Sequence, residues 1–216
     1  LADSSSLATL VVEGPLGSGK TELAGLLAGA MNGRLILEKP GDNPFLPLFH
    51  RNMKKWAFQT QIAFMLQRYE RLEELSRADL FHGLTVSDFC FHRDMIHARA
   101  TLSEPEFDLY RKLFEALSPV APNPDLIVYL QATPGFLAER LLRQGRAFER
   151  DVSRSWLEKL VESYNSYFLR ERHFPTLVVS AERSLNEPRA LSALVERIRN
   201  HSGGLSSFAP VFERFL

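Results

Sequence analysis

Ala8-Thr9-Leu10-Val11-Val12-Glu13-Gly14-Pro15-Leu16-Gly17-Ser18-Gly19-Lys20-Thr21-Glu22-Leu23-Ala24-Gly25-Leu26 reads as strand, loop and helix in immediate succession. Its apolar, β-branched start, Ala8 to Val12, suits a strand buried on both faces. Gly14, then four residues, then Gly19-Lys20-Thr21 is the full phosphate-loop spacing in the strand-to-helix setting it requires. The chemistry explains the residue types. Glycines let backbone N–H groups turn inward around phosphate oxygens, and the helix N-terminus adds partial positive charge. Gly14, Pro15, Leu16, Gly17, Ser18 and Gly19 would form the cradle, Lys20 would reach the outer phosphates, and the Thr21 hydroxyl would bind Mg²⁺. Glycine-rich turns without ligands exist, but the Lys-Thr ending and both flanks agree here. The pattern predicts a nucleoside triphosphate site.

The 216 residues suit one α/β domain with a large core, with residues 1–7 as a linker and 201–216 as a tail. Hydrophobic residues make up 45%, which excludes a disordered chain. Lys+Arg and Asp+Glu are both 26, so net charge carries no footprint for a nucleic-acid polymer or a membrane surface. Cys90 is the single cysteine, which rules out an intrachain disulfide and reads as a packed thiol. No run is long and apolar enough for a transmembrane helix, and a reduced, cytoplasmic setting is expected.

Outward from the loop, the first helix is expected to stop at Asn32-Gly33. Arg34 to Leu37 reads as a second strand ending at Glu38, followed by a breaker-rich loop, Lys39 to Pro44. Met53 to about Ser76 lacks Gly and Pro and is the longest helix candidate, roughly 35 Å. Gln61, Phe64, Met65 and Arg68 share one of its faces. A planar heteroaromatic could lie against that face, yet periodicity alone favours a plain solvent-facing role for Gln61 and Arg68. Leu84 to Ser87 is a third strand delivering Asp88, and Ser103-Glu104-Pro105-Glu106 looks like a capping box. Asp125 to Leu130 and Pro175 to Ser180 supply two more strands. Helices are expected after Thr133, after Ser153 and from Glu187 to Ile198, while His201 to Ser207 looks flexible. Five strands alternating with helices predict a parallel sheet covered on both faces.

Ligands gather at the carboxyl ends of such strands, where Glu38 and Asp88 stand. Phosphoryl transfer needs an oriented acceptor hydroxyl and a Mg²⁺ bridging the phosphates, so Glu38 is the candidate base and Asp88 the candidate metal-side acid. Arg140 to Arg150 suits a short lid whose arginines close over the phosphates, though a solvated turn has the same composition. The six histidines are scattered, and no zinc spacing appears.

Together these motifs resemble one family. The residues are the phosphate loop, Leu37-Glu38 with Asn43-Pro44-Phe45-Leu46, Trp56-Ala57-Phe58-Gln59-Thr60-Gln61, Arg68, Asp88, Asp94, Gly145-Arg146-Ala147-Phe148-Glu149 and Trp156 to Leu160. The chain is similar to the deoxynucleoside kinases over about residues 8–168, most of all to bacterial deoxyadenosine and deoxyguanosine kinases. That resemblance implies a P-loop kinase fold with an arginine-bearing lid, ATP and Mg²⁺, and a homodimer joined through helices. It implies a deoxynucleoside acceptor, purine in type, phosphorylated at its 5′-OH. Glu38, with Lys20 and Arg146, would act on the reacting groups, and Arg140 would bind the donor phosphates. His50, Trp56, Gln61, Phe64, Arg68, Asp94 and Glu149 would hold the nucleoside, with Gln59 replacing Gln61 if the helix register differs. Three departures stand out: Asp88-Phe89-Cys90 lacks the arginine usual after the acid, His50 replaces a tyrosine, and Gln144-Gly145-Arg146 leaves Arg143 one position away. Arg93 or a lid arginine is the expected substitute. A thymidylate-type monophosphate kinase and a non-catalytic nucleotide-binding module remain the alternatives.

Overall fold

The computed structural model describes residues 7–76, 83–118, 123–146, 149–150, 152–185 and 187–208, with side chains of 72–76 left aside. Strand β1, Thr9–Glu13, lies mid-sheet with hydrogen-bonded neighbours on either side, which is why its Leu10 and Val12 are wholly buried. Around it stand β2 (Arg34–Ile36), β3 (Thr85–Ser87), β4 (Leu126–Gln131), β5 (Thr176–Ser180) and β6 (Leu205–Phe208). The described strands form one sheet in the order β2-β3-β1-β4-β5-β6, and every pairing is parallel. Registry brings Val11 beside Ser87 and Ile127, so the carboxyl ends of β1, β3 and β4 open on one edge.

The sheet has six strands where five are expected, and the extra one falls in the stretch read as flexible tail. Leu205-Ser206-Ser207-Phe208 has little apolar side chain to announce a strand. Backbone pairing makes it: Thr176 N donates to Gly204 O at 2.8 Å, and the ladder continues to Val179 opposite Phe208. Residues 209–216 of the tail and residues 1–6 of the linker lie outside the described residues, while Leu7 packs on the core.

Helix α1 (Lys20–Met31) starts at Gly19 and ends at Asn32 in the left-handed conformation, φ 52°, at the expected stop. Helix α2 covers Leu46–Arg51 and α3 covers Met53–Ser76, as expected from the absence of breakers. After β3 the chain enters helix α4, Arg93–Thr101. Helix α5, Glu104–Leu117, opens with the capping box: Glu106 accepts from Ser103 N at 2.9 Å. Thr133 caps α6 (Pro134–Gln144), α7 covers Arg154–Asn165, and α8 covers Pro188–Arg199. A π-turn, Ser166–Glu171, extends α7 and closes at Arg172. The main core joins the sheet to α1, α7 and α8; a second cluster of Met65, Phe91, Ala98, Tyr110 and Phe114 binds α3, α4 and α5 together. That second cluster fixes α3 and α4 across the end of β3, where the acids stand.

Candidate active site

The loop after β1 is shaped by its backbone. Gly19 sits at φ 93°, a conformation that side chains disfavour, and an added Cβ would come within 3.0 Å of the Arg140 guanidinium. At Gly14 an added Cβ would meet Leu130 O at 2.8 Å, so the loop passes too close to β4 for any side chain. Lys20 Nζ donates to Pro15 O at 3.0 Å, folding over the loop from the helix that follows it. Burial, with Arg93 adding to it, lowers the Lys20 ammonium to about 8 against the pull of Glu13, Asp88 and Glu38.

Both expected acids reach this loop. Asp88 Oδ2 accepts from the Thr21 hydroxyl at 2.5 Å, and its Oδ1 accepts from Glu38 N at 2.7 Å. Asp88 therefore ties the end of β3 to the loop and to the residue beyond β2. Thr21 and Asp88 are hard oxygen donors side by side, a pair suited to sharing a divalent cation with phosphate oxygens. The Glu38 carboxylate accepts from Arg93 Nη1 at 2.8 Å and from Arg68 Nη2. Burial by itself would raise that carboxyl, but Arg68, Arg93 and Lys20 outweigh it and hold it at about 2.

Arg68 and Gln61 do not face solvent: they are 4% and 3% exposed, which overturns the periodicity reading. Exposed Gln59 points away, so the helix register selects Gln61. Arg68 bridges the two halves, with Nη1 on Asp94 Oδ1 and Nη2 on Glu38. Its guanidinium lies 5.1 Å from the Phe64 ring centre. Arg68 Nε and Asp94 Oδ2 are buried without a hydrogen-bond partner among the described residues, which leaves one donor and one acceptor unused. Trp56 stacks on Phe45 at 6.0 Å and lies half-buried at the start of α3.

The lid segment borders the same cleft. A cavity of about 370 Å³ is lined by the phosphate loop, Lys20, Thr21, Glu38, Asp88 and Arg93, and by Arg140, Arg146 and Glu149 above them. Arg140 pairs with Glu22 at 2.9 Å, while Glu149 Oε2 accepts from Arg146 N at 2.8 Å. His50 titrates lower through burial and feels the opposing charge of Glu149, which sets α2 facing the lid. Arg143 is exposed and pairs with Glu139 on its own helix, so the displaced lid arginine faces away. Ala147 and Phe148 of the lid lie outside the described residues.

A family model for deoxynucleoside kinases matches residues 10–202. The chain belongs to the deoxynucleoside kinase family. It is 36% identical over 156 residues to a deoxyguanosine kinase of Bacillus subtilis, covering 72% of this chain and 75% of that one. To a deoxyadenosine/deoxycytidine kinase of the same organism it is 28% identical over 199 residues, 88% and 90% of the two chains. Among solved structures, a deoxyadenosine kinase from M. mycoides superposes with TM-score 0.76 at 19% identity, over 89% of this chain and 97% of that one, a likeness of fold. Family membership makes this deoxynucleoside kinase a phosphotransferase with an alcohol acceptor, and the monophosphate-kinase and non-catalytic alternatives give way to it.

Sequence reasoning overlooked two parts of this kinase site. Glu13, wholly buried at the end of β1, accepts from Gly14 N at 3.2 Å and Cys90 N at 3.0 Å, pinning the loop's entry to the turn after β3. Its alternating position in an apolar strand gave no warning. A second cavity of about 320 Å³ shares Gly19, Glu22, Arg140 and Gln144 with the first and continues between Phe136 and Ala181 to Leu185. The loop after β5 carries no motif, and only the fold brings it beside the phosphate loop. Arg93, named at first as one of two substitutes, is a second guanidinium on Glu38 beside that of Arg68, whereas Phe89 is buried in the arginine's usual place.

Proposed function

We propose that this kinase transfers the γ-phosphoryl group of ATP to the 5′-hydroxyl of a purine deoxynucleoside. One observation carries the reading. The Glu38 carboxylate lines the same cavity as Lys20, Thr21 and Asp88, and is also joined through Arg68 to Asp94 beneath α3. A single acid thus faces the triphosphate on one side and the nucleoside on the other. The names of the bacterial relatives, a deoxyguanosine kinase and a deoxyadenosine/deoxycytidine kinase, favour a purine acceptor.

In this reading the triphosphate lies along residues 14–21, with its nucleoside in the cavity toward Leu185, and Arg140 and Arg146 close over it. Mg²⁺ at Thr21 and Asp88 would neutralise charge on the bridging phosphate oxygens. Gln61, Arg68 and Asp94 read the base edge, Phe64 and Trp56 wall it, and His50 with Glu149 holds the sugar hydroxyl. Glu38 orients the 5′-OH. A carboxyl held near 2 is ionised but weakly basic, so it accepts the hydroxyl's hydrogen bond first. It takes the proton only as the new P–O bond forms, which suits a loose transition state. Withdrawal of Arg68 to a bound base edge would leave Glu38 more basic.

The whole chain is read as one kinase domain working in the cytoplasm as a homodimer. No described helix is long and apolar enough to cross a membrane. The family resemblance supports the dimer, which sedimentation at twice the chain mass would register. A coupled ADP-release assay offering deoxyguanosine, deoxyadenosine, deoxycytidine and dTMP tests the activity. Release with a purine deoxynucleoside is expected, and release with dTMP alone would overturn it.

A further inference from the structure

Half-buried His97 and wholly buried Tyr164 have no role in the chemistry above, yet they stand directly behind it. We propose that they are positioning residues for phosphoryl transfer: the imidazole–phenol pair fixes the Arg93 guanidinium against Glu38 and keeps it facing the cleft. The inference rests on the kinase reading of the site.

Arg93 is 6% exposed, with Nη1 on Glu38 Oε2 at 2.8 Å and Nε donating to His97 Nε2 at 3.3 Å. The same His97 nitrogen lies 3.1 Å from the Tyr164 hydroxyl. Arg93 Nε can only donate, so His97 Nε2 is an acceptor, the ring proton belongs on Nδ1 and the Tyr164 hydroxyl is left to donate. A protonated ring would turn an N–H toward Arg93 and add a second positive charge beside it. Burial first, then Arg93 and Arg68, keeps the imidazole neutral.

Tyr164 anchors the arrangement to the sheet. It is wholly buried on α7, and its ring lies parallel to Tyr129 of β4 at 6.2 Å and 7°. The Tyr129 hydroxyl in turn donates to Asn165 Oδ1 at 2.9 Å. A line of contacts therefore runs from the central sheet through Tyr164 and His97 to Arg93 and Glu38. Without the His97 acceptor, Arg93 Nε would be drawn toward Glu13 Oε2, already 4.0 Å away beneath the phosphate loop. That turn would loosen Nη1 from Glu38.

The test measures kcat, both KM values and thermal melting for His97→Ala, His97→Gln, Tyr164→Phe and Arg93→Ala, and for each of the first three combined with Arg93→Ala. Arg93→Ala should lower kcat about a hundredfold. His97→Ala should lower it about tenfold and Tyr164→Phe about threefold, with both KM values within about twofold. His97→Gln, which restores an acceptor near the Nε2 position, should recover most of the loss. In the Arg93→Ala background the other changes should cost less than about twofold more. Losses that persist undiminished without Arg93, or that appear as a raised nucleoside KM, would overturn the positioning role. Should His97→Ala fail to fold, His97→Gln and Tyr164→Phe keep the shape and decide the matter. A wild-type chain that phosphorylates no deoxynucleoside overturns both readings, whereas an active wild type with additive variants overturns this one alone.

Discussion

The phosphate cradle of the cleft is one continuous run, Glu13 to Glu22, whereas the proposed acceptor side gathers Glu38, Gln61, Arg68, Arg93, Asp94 and Glu149 from a strand end, two helices and the lid. The first is held by backbone conformation: the left-handed Gly19 and the close pass of Gly14 over β4. The second is held by its own charges. Asp94 holds Arg68, Arg68 holds Glu38, and Glu38 also holds Arg93, all of them half-buried or buried. Damage to the donor side should therefore weaken nucleotide binding and leave the fold standing. On the acceptor side Asp94, Arg68, Glu38 and Arg93 are one another's counter-ions, so function and stability should fall together there.

The largest effect should come where the two sides meet. Glu38→Gln is expected to lower turnover by about a thousandfold while a fluorescent ATP analogue still binds, and unchanged turnover would remove Glu38 from its role. Gly19→Ala probes the donor side alone. Its strained φ and the crowding of Arg140 should weaken ATP about a hundredfold and cost about 1 kcal/mol of stability, well short of the loss on the acceptor side. Arg68→Ala probes the acceptor side. The nucleoside KM should rise tens of times while the ATP KM stays within about twofold. Because Asp94 would be left buried and unpaired, stability should fall by about 3 kcal/mol, and adding Asp94→Asn should recover much of it. A stability loss for Gly19→Ala equal to that for Arg68→Ala would erase the contrast.

Two titrations sharpen it further. Lys20 is charged below about 8, so ATP affinity should weaken by about tenfold between pH 7.5 and 9, and Lys20→Arg should flatten that profile. Smallest is the acid limb. Glu38 titrates at about 2 in the folded chain, below its ordinary 4.5, so its contribution is whole above about 4.5 and is lost as pH falls toward 2. Urea midpoints of the wild type and Glu38→Gln should therefore converge over that window, and parallel curves would show that Glu38 is not held by its arginines.

Much of the scaffold was legible in advance because its signals are local. The bounds of α3, the stop of α1 at Asn32 and the capping box at Ser103 depend on residues within a turn or two of each other. Strand β6 escaped notice because a serine-rich edge strand is made by its neighbour's backbone, not by its own side chains. Gln61 and Arg68 show the same limit within the site. An amphipathic pattern says which residues share a face, but not whether that face meets water or another layer. Here α4, packed by Phe91 and Ala98 against Met65, closes over the polar face and makes it interior.

The chain by itself determined the phosphate loop, since glycine spacing, Lys20 and Thr21 dictate a backbone cradle whatever surrounds it. Family resemblance in its motifs likewise pointed to Glu38, Arg68 and Asp94 before any coordinates. Tertiary structure alone decided that Arg93 joins Arg68 on Glu38, that Glu13 lies buried beneath the loop, and that the turn after β5 walls the donor cavity. The reason is physical. Charges gathered from distant segments acquire partners only when packing removes the water between them, and no run of neighbouring residues records which ones will meet.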